Sequence, residues 1–189
     1  MPRIAAIVPV TEAEGPGARL AVWAQGCAIR CPGCCNPQMF DPAGGRDAPI
    51  AEIAAEMDRV RHRIEGVTLL GGEPFAQPRA MAEVAREARR RGLSVVVFTG
   101  HTLEALRSGA VPDAEALLAE TDLLVDGPYE RDDPERRRRW VGSANQRFHF
   151  LTGRYRPGIE MARAGEPDRT VELRIGPDGR AHASGWPEW

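Results

Sequence analysis

Apolar residues gather in short runs at residues 4–8, 20–23, 67–70, 93–98, 123–125 and 147–151. Each run is too short for a helix and is bounded by Gly, Pro or Asp, so each reads as a strand. Between them the period changes. Ile50, Ile53, Ala54, Met57, Val60 and Ile64 recur at helical spacing and predict an amphipathic helix of about four turns. Pro78 opens a second helix with Met81, Val84, Ala85 and Ala88 on one face, and Gly92 closes it. Shorter helices are expected at 103–107 and 114–120. Residues 171–175 and 180–184, joined by a Gly-bounded turn at 176–179, predict a terminal hairpin.

Strands that alternate with helices imply parallel βαβ units. The chain has 189 residues, and a complete eight-stranded barrel takes about 250. The expected fold is therefore α/β: a partial, open-sided (βα) barrel with a C-terminal β-hairpin. It forms one domain over 1–189, with a core at about 19–151 and an extension at 152–189.

Hydrophobic residues make up 42% of the chain and charged residues 28%, enough for a soluble core. The net charge of −2 carries no bias toward nucleic acid or an anionic membrane. No apolar run approaches the roughly 20 residues of a membrane span. The N-terminal stretch reads as a first strand and not as a secretory leader.

All four cysteines, Cys27, Cys31, Cys34 and Cys35, fall in the run GCAIRCPGCC. A disulfide framework would spread them out, so the cluster argues for a ligand site in a reducing compartment, the cytoplasm. Cys27, Cys31 and Cys34 have the spacing C-x3-C-x2-C. Structural zinc takes four ligands, often in paired C-x2-C units, and none of the four histidines stands at such a spacing. An iron–sulfur cube held at three corners is the favoured reading, with zinc as the minority one. Three thiolates leave one iron open, which marks a reactive site. Cys35 is expected to pack beneath the loop.

This cysteine run, followed by Gly71-Gly72-Glu73-Pro74 at the end of an apolar strand, resembles the radical S-adenosylmethionine superfamily. The pieces CPGCCN, GGEPFAQ, VVVFTGHTLEAL, DLLVDGPY and GSANQR together resemble the branch that activates anaerobic ribonucleotide reductases. Where the superfamily often has an aromatic residue before the third cysteine, this chain has Gly33. The resemblance implies a [4Fe-4S] cluster on Cys27, Cys31 and Cys34, with S-adenosyl-L-methionine on the open iron. It implies that Gly71, Gly72 and Glu73 bind the methionine amino group, and it places Thr99, Asp126 and Asn145 near the cofactor. No catalytic side chain is expected beyond cluster and cofactor.

The implied function is reductive cleavage of S-adenosylmethionine to a 5′-deoxyadenosyl radical, which installs a glycyl radical on a partner such as an anaerobic ribonucleotide reductase. A flavodoxin or ferredoxin would supply the electron. Two alternatives stay open at this level: a small radical enzyme acting on a peptide, nucleoside precursor or metabolite, and a non-catalytic metal or electron-transfer module. Residues 130–140, with Arg136, Arg137, Arg138 and Arg139 beside Trp140, read as a solvated loop.

Overall fold

A computed structural model of the protein describes residues 1–161, 171–175 and 181–185. Its centre is built by strands whose two faces are both covered. β2 (Arg19–Ala24) is buried at every position. β4 (Gly66–Gly71), β5 (Ser94–Phe98) and β6 (Leu123–Asp126) are buried nearly as completely. Such runs read as continuous apolar sequence because neither face is left polar. These four strands lie parallel, with Leu20 opposite Val67, Val67 opposite Val95 and Val96 opposite Leu123. β1 (Arg3–Thr11) adds antiparallel to β2, and β7 (Arg147–Phe150) adds antiparallel to β6. A two-residue strand, β3 (Arg46–Asp47), completes the order β3-β1-β2-β4-β5-β6-β7. The fold is thus mixed α/β with a mostly parallel central sheet.

Alternation along each strand separates two cores. Leu20 and Val22, Val67 and Leu69, and Val95 and Val97 face the helices. There they meet Ile53, Met57 and Val60 of α1 (Ile50–Val60), Met81, Val84, Ala85 and Ala88 of α2 (Pro78–Arg90), Leu103 and Leu106 of α3 (Leu103–Arg107), and Leu117 of α4 (Ala114–Leu118). Ala21, Trp23 and Leu70 face the other way, with Phe98 packed against them. All four helices cover the first face. The second is left to loops, and the site lies there.

Pro78 takes the first turn of α2, where its missing N–H costs nothing. At the other end Gly92 N–H donates to Arg89 O and Leu93 N–H to Ala88 O, with Gly92 at φ +73°. This Schellman arrangement turns the chain directly into β5. α1 stops at Val60, short of the four turns expected. Arg61–Arg63 tighten into a 3-10 turn of three exposed side chains, and Ile64 is buried on extended backbone. β7 runs antiparallel because no helix crosses over between it and β6; a loop brings the chain straight back.

The hairpin forms as β8 (Val171–Ile175) and β9 (Ala181–Gly185), paired Val171 to Gly185 and Ile175 to Ala181. The expected turn at 176–179 lies outside the described residues. Glu172 accepts from Glu12 N–H at 2.7 Å, and Gly185 N–H donates to Glu14 at 2.6 Å. These bonds fasten the hairpin to the β1–β2 connection.

Arg19 is fully buried at the foot of the sheet, where burial depresses its basicity. Its guanidinium is satisfied by neutral acceptors: Thr68 Oγ1 at 2.6 Å, Val67 O at 2.7 Å, and Pro16 O and Tyr155 OH at 2.9 Å, with Ser94 alongside. Arg19→Met would leave several of these acceptors unpaired in the core. It is expected to lower stability by about 2–4 kcal/mol, read as a fall in the urea midpoint.

Glu14 provides a test in pH. Burial, the dominant cause, raises its pKa from 4.5 to about 7, with Glu172 adding repulsion and the Gly185 N–H opposing. The folded chain then binds this proton more tightly than the unfolded chain does. Stability is therefore lost as pH rises from about 4.5 to about 7, by up to about 3 kcal/mol. Glu14→Gln is expected to flatten that slope and to be the more stable protein at pH 8. Equal slopes for both proteins in pH-dependent denaturation would refute this origin.

Candidate functional site

The cysteine loop leaves the carboxyl end of β2 and folds back onto it. Gly26 N–H donates to Met39 O at 2.9 Å and Cys27 N–H to Phe40 O at 3.2 Å. The Gln25 amide reaches Asp41 O at 2.7 Å and Gln38 O at 3.2 Å. Within the loop Arg30 and Gly33 both take positive φ, and Cys34 N–H donates to Cys31 O at 3.1 Å, closing the Pro32-Gly33 turn. Gly33 is open to solvent on one side and pressed by a guanidinium on the other: a Cβ there would lie 2.3 Å from Arg131 Nε.

The next strand end is pinned to the same place. Gly72 N–H donates to Ala24 O at 2.8 Å, and Glu73 N–H to Gly26 O at 2.9 Å. The backbones approach so closely that a Cβ on Gly72 would lie 2.6 Å from Gly26 O, so glycine is required by contact. Glu73 is thereby buried at the mouth of β4. Its carboxylate accepts from Phe75 N–H, from Thr99 Oγ1 and from Gly100 N–H, each at 2.9 Å. Burial raises its pKa, and the Phe75 and Gly100 amides oppose that rise. A carboxylate offers about four acceptor directions. Three are used, which leaves one for a cationic ligand.

Cys27, Cys31, Cys34, Gly71, Gly72, Glu73 and Thr99 all line one open cleft of about 850 Å³. Its floor is the second core face, with Trp23, Leu70 and Phe98. The three thiols are half-buried, and burial pushes those of Cys27 and Cys34 up. Backbone N–H groups of Ile29 and Arg30 at Cys27, and of Asn36 at Cys34, act in the opposite sense and favour thiolate. Among the described residues no three His, Cys, Asp or Glu side chains converge as ligands of a single ion. A four-iron cube asks for something different, because each thiolate takes its own iron and the sulfurs stand apart around it. The donor set fits a cube better than a zinc ion.

Cys35 does not pack beneath the loop. It is exposed on the rim, bonded by the Asn36 side chain at 3.3 Å, and partial burial of its sulfur together with neighbouring Cys34 pushes its pKa to about 11. It lines the edge of the same cleft as Cys27, Cys31 and Cys34.

The structure does not bring Asp126 into the cleft. Its buried carboxylate caps α3 through Leu103 N–H at 2.6 Å and binds Arg147 at 2.6 Å, with His149 Nε2 at 3.0 Å. As the last residue of β6 it points to the helix side, and Gly127 lines the cleft in its place. Asn145 lies behind Gly127 and donates to Pro128 O at 2.7 Å, while its Oδ1 is buried without a partner.

Several cleft residues were not singled out from sequence. Trp23 could have been, since strand alternation sets it opposite Val22; its buried indole Nε1 also lacks a partner. Gly100 could have been, since a Cβ there would lie 2.7 Å from Ile29 Cδ1. Glu14, Tyr129 and Trp140 arrive on irregular loops and carry no periodic signal. Among the described residues no helix is long and apolar enough to cross a membrane.

Comparison with known proteins points to the same kind of cofactor. A family model described as a 4Fe-4S single cluster domain matches residues 13–149. The anaerobic ribonucleoside-triphosphate reductase-activating protein of Escherichia coli (strain K12) is 28% identical over 151 residues, covering 76% of this chain and 95% of that one. The protein of the same description from Salmonella typhimurium is 30% identical over 152 residues, with the same coverage. The pyruvate formate-lyase-activating enzyme of Clostridium pasteurianum is 30% identical over 138 residues, 70% of this chain and 55% of its own length. The chain therefore belongs to the 4Fe-4S single cluster domain family, in the group of anaerobic ribonucleoside-triphosphate reductase-activating proteins.

Proposed function

We propose that Cys27, Cys31 and Cys34 hold a [4Fe-4S] cluster whose fourth iron takes S-adenosyl-L-methionine, and that the chain installs a glycyl radical in a partner such as an anaerobic ribonucleotide reductase. The observation that carries this reading is one cleft lined by the three thiols of the C-x3-C-x2-C run, with Cys35 at its rim, together with a buried carboxylate that retains an unused acceptor direction. Family membership makes the chain a radical S-adenosylmethionine enzyme of the activating type. When bound and reduced, the cluster supplies the electron that cleaves the sulfonium carbon–sulfur bond, giving methionine and a 5′-deoxyadenosyl radical.

The side chains divide the remaining work. Glu73 receives the methionine ammonium in its open direction; a cation there favours the ionised carboxyl, which burial disfavours. Thr99 and Gly100 fix that carboxylate, so it needs no rearrangement when ligand arrives. Gly71 and Gly72 let backbone and ligand come close. Asn145, behind Gly127, acts from outside the cleft by holding Pro128 O, while its neighbour Gln146 lines the cleft. Asp126 acts at one remove, by fixing Arg147 and the start of α3. Trp23, Leu70 and Phe98 exclude water from the floor.

We read the sheet as a partial open barrel of the radical S-adenosylmethionine type and the whole chain as one domain, 1–189. Its helix-free face gives a target loop access to the cleft. An acidic one-electron carrier, a flavodoxin or ferredoxin, would act as donor in the cytoplasm.

Anaerobic reconstitution with dithionite and S-adenosylmethionine is expected to yield 5′-deoxyadenosine, and addition of an anaerobic reductase should yield a glycyl-radical EPR signal. Deoxyadenosine without a glycyl signal would move the reading to another substrate; neither product would end it. Cys27→Ala, Cys31→Ala and Cys34→Ala should each remove the visible charge-transfer absorbance of the cluster, whereas Cys35→Ala should retain it. Glu73→Gln should keep that absorbance and weaken S-adenosylmethionine binding by roughly 10- to 100-fold, the loss of one charge-assisted hydrogen bond. An unchanged dissociation constant would remove Glu73 from the ammonium site.

A further inference from the structure

The loop after β6 returns to the cysteine turn through one residue that the activity as described leaves without a role. Arg131 lays its guanidinium on the Cα of Gly33: a Cβ on Gly33 would fall 2.3 Å from Nε, 2.6 Å from Nη2 and 2.8 Å from Cζ. Gly33 stands between Cys31 and Cys34 at φ +78°, so its bare side is the surface of the turn that spaces those two thiols. The contact is therefore made with the middle of the ligand loop. Arg30, the other cation of that loop, is stacked over Phe40 with its guanidinium carbon 5.7 Å from the ring centroid. Arg131 is exposed, and among the described residues it makes no hydrogen bond or ion pair. Glu130, Asp132 and Asp133 flank it on the loop without pairing to it among the described residues, and Glu135 accepts from the backbone N–H groups of Arg136, Arg137 and Arg138 and from the Arg138 side chain.

An unpaired guanidinium held against a turn between two thiols faces negative charge as soon as those thiols are ligands. A guanidinium keeps its charge at any working pH. Three thiolates bring three negative charges, and adding an electron makes the assembly more negative still. A cation seated on that turn favours the electron-rich state, and charge around a cluster is one of the levers that set its potential.

We propose that Arg131 is a positioning residue for the reaction: its charge, seated on Gly33, makes the cluster at Cys27, Cys31 and Cys34 easier to reduce. This rests on the cluster reading given above. One electron is added and no ligand bond changes; the reductant is dithionite acting through dye mediators.

The test is a redox titration of the reconstituted protein, followed by EPR of the reduced cluster. Arg131→Met keeps length and removes charge; Arg131→Lys keeps charge; Arg137→Met removes an exposed charge elsewhere on the same loop. The expected result is a midpoint potential shifted to more negative values in Arg131→Met, nearly restored in Arg131→Lys, and unmoved in Arg137→Met. Failure of Arg131→Met to retain iron, with full retention in Arg131→Lys, would likewise support a role for the charge. An Arg131→Met potential equal to wild type overturns the proposal, as does an equal shift in all three variants or loss of iron from both Arg131 variants. A wild-type chain that assembles no four-iron cluster refutes the underlying reading instead, and a wild-type chain with a cluster indifferent to Arg131 refutes only this inference.

Discussion

Two backbone hydrogen bonds set the geometry on which the site depends, Gly72 N–H to Ala24 O and Glu73 N–H to Gly26 O. They join the end of β4 to the first residues of the cysteine loop, beyond the point where regular strand pairing stops. The thiol-bearing loop and the buried carboxylate therefore cannot drift independently. Thr99 and Gly100, at the end of β5, then close on that carboxylate and bring a third strand end into register. A side chain at position 72 would part the first two elements, and the third would lose its anchor.

Much of this was legible before any coordinates, for physical reasons. Strands covered on both faces betray themselves as unbroken apolar runs, which is why β2, β4, β5 and β6 were visible. Glu73 was legible through the family resemblance carried by the Gly-Gly-Glu-Pro piece together with the cysteine run. Asp126 occupies a similar place in sequence and misleads, since alternation along β6 turns its side chain to the helices, where Leu103 N–H and Arg147 claim it. The terminus of a strand identifies the edge of the sheet but not the face.

What stayed hidden shares one cause: it depends on contacts across long separations. Glu14 enters the cleft from the β1–β2 connection and is buried where Gly185, far along the chain, donates to it. Arg131 meets Gly33 across nearly a hundred residues, and nothing local to either position announces the meeting. Cys35 is the reverse case. Its neighbours in sequence suggest a fourth buried thiol, but it stands exposed on the cleft rim with the Asn36 side chain bonded to its sulfur.

The outermost strands also have a bearing on how the chain keeps to itself. β7 is four residues long, so that border of the sheet offers only a few unpaired amide and carbonyl groups, whereas at the other border β3 pairs with β1 only at Arg3 and Ile4. Short borders are poor templates for strand addition by a second molecule. A protein that must keep one face uncovered for its chemistry is thereby guarded against fibrous self-association at its β7 border.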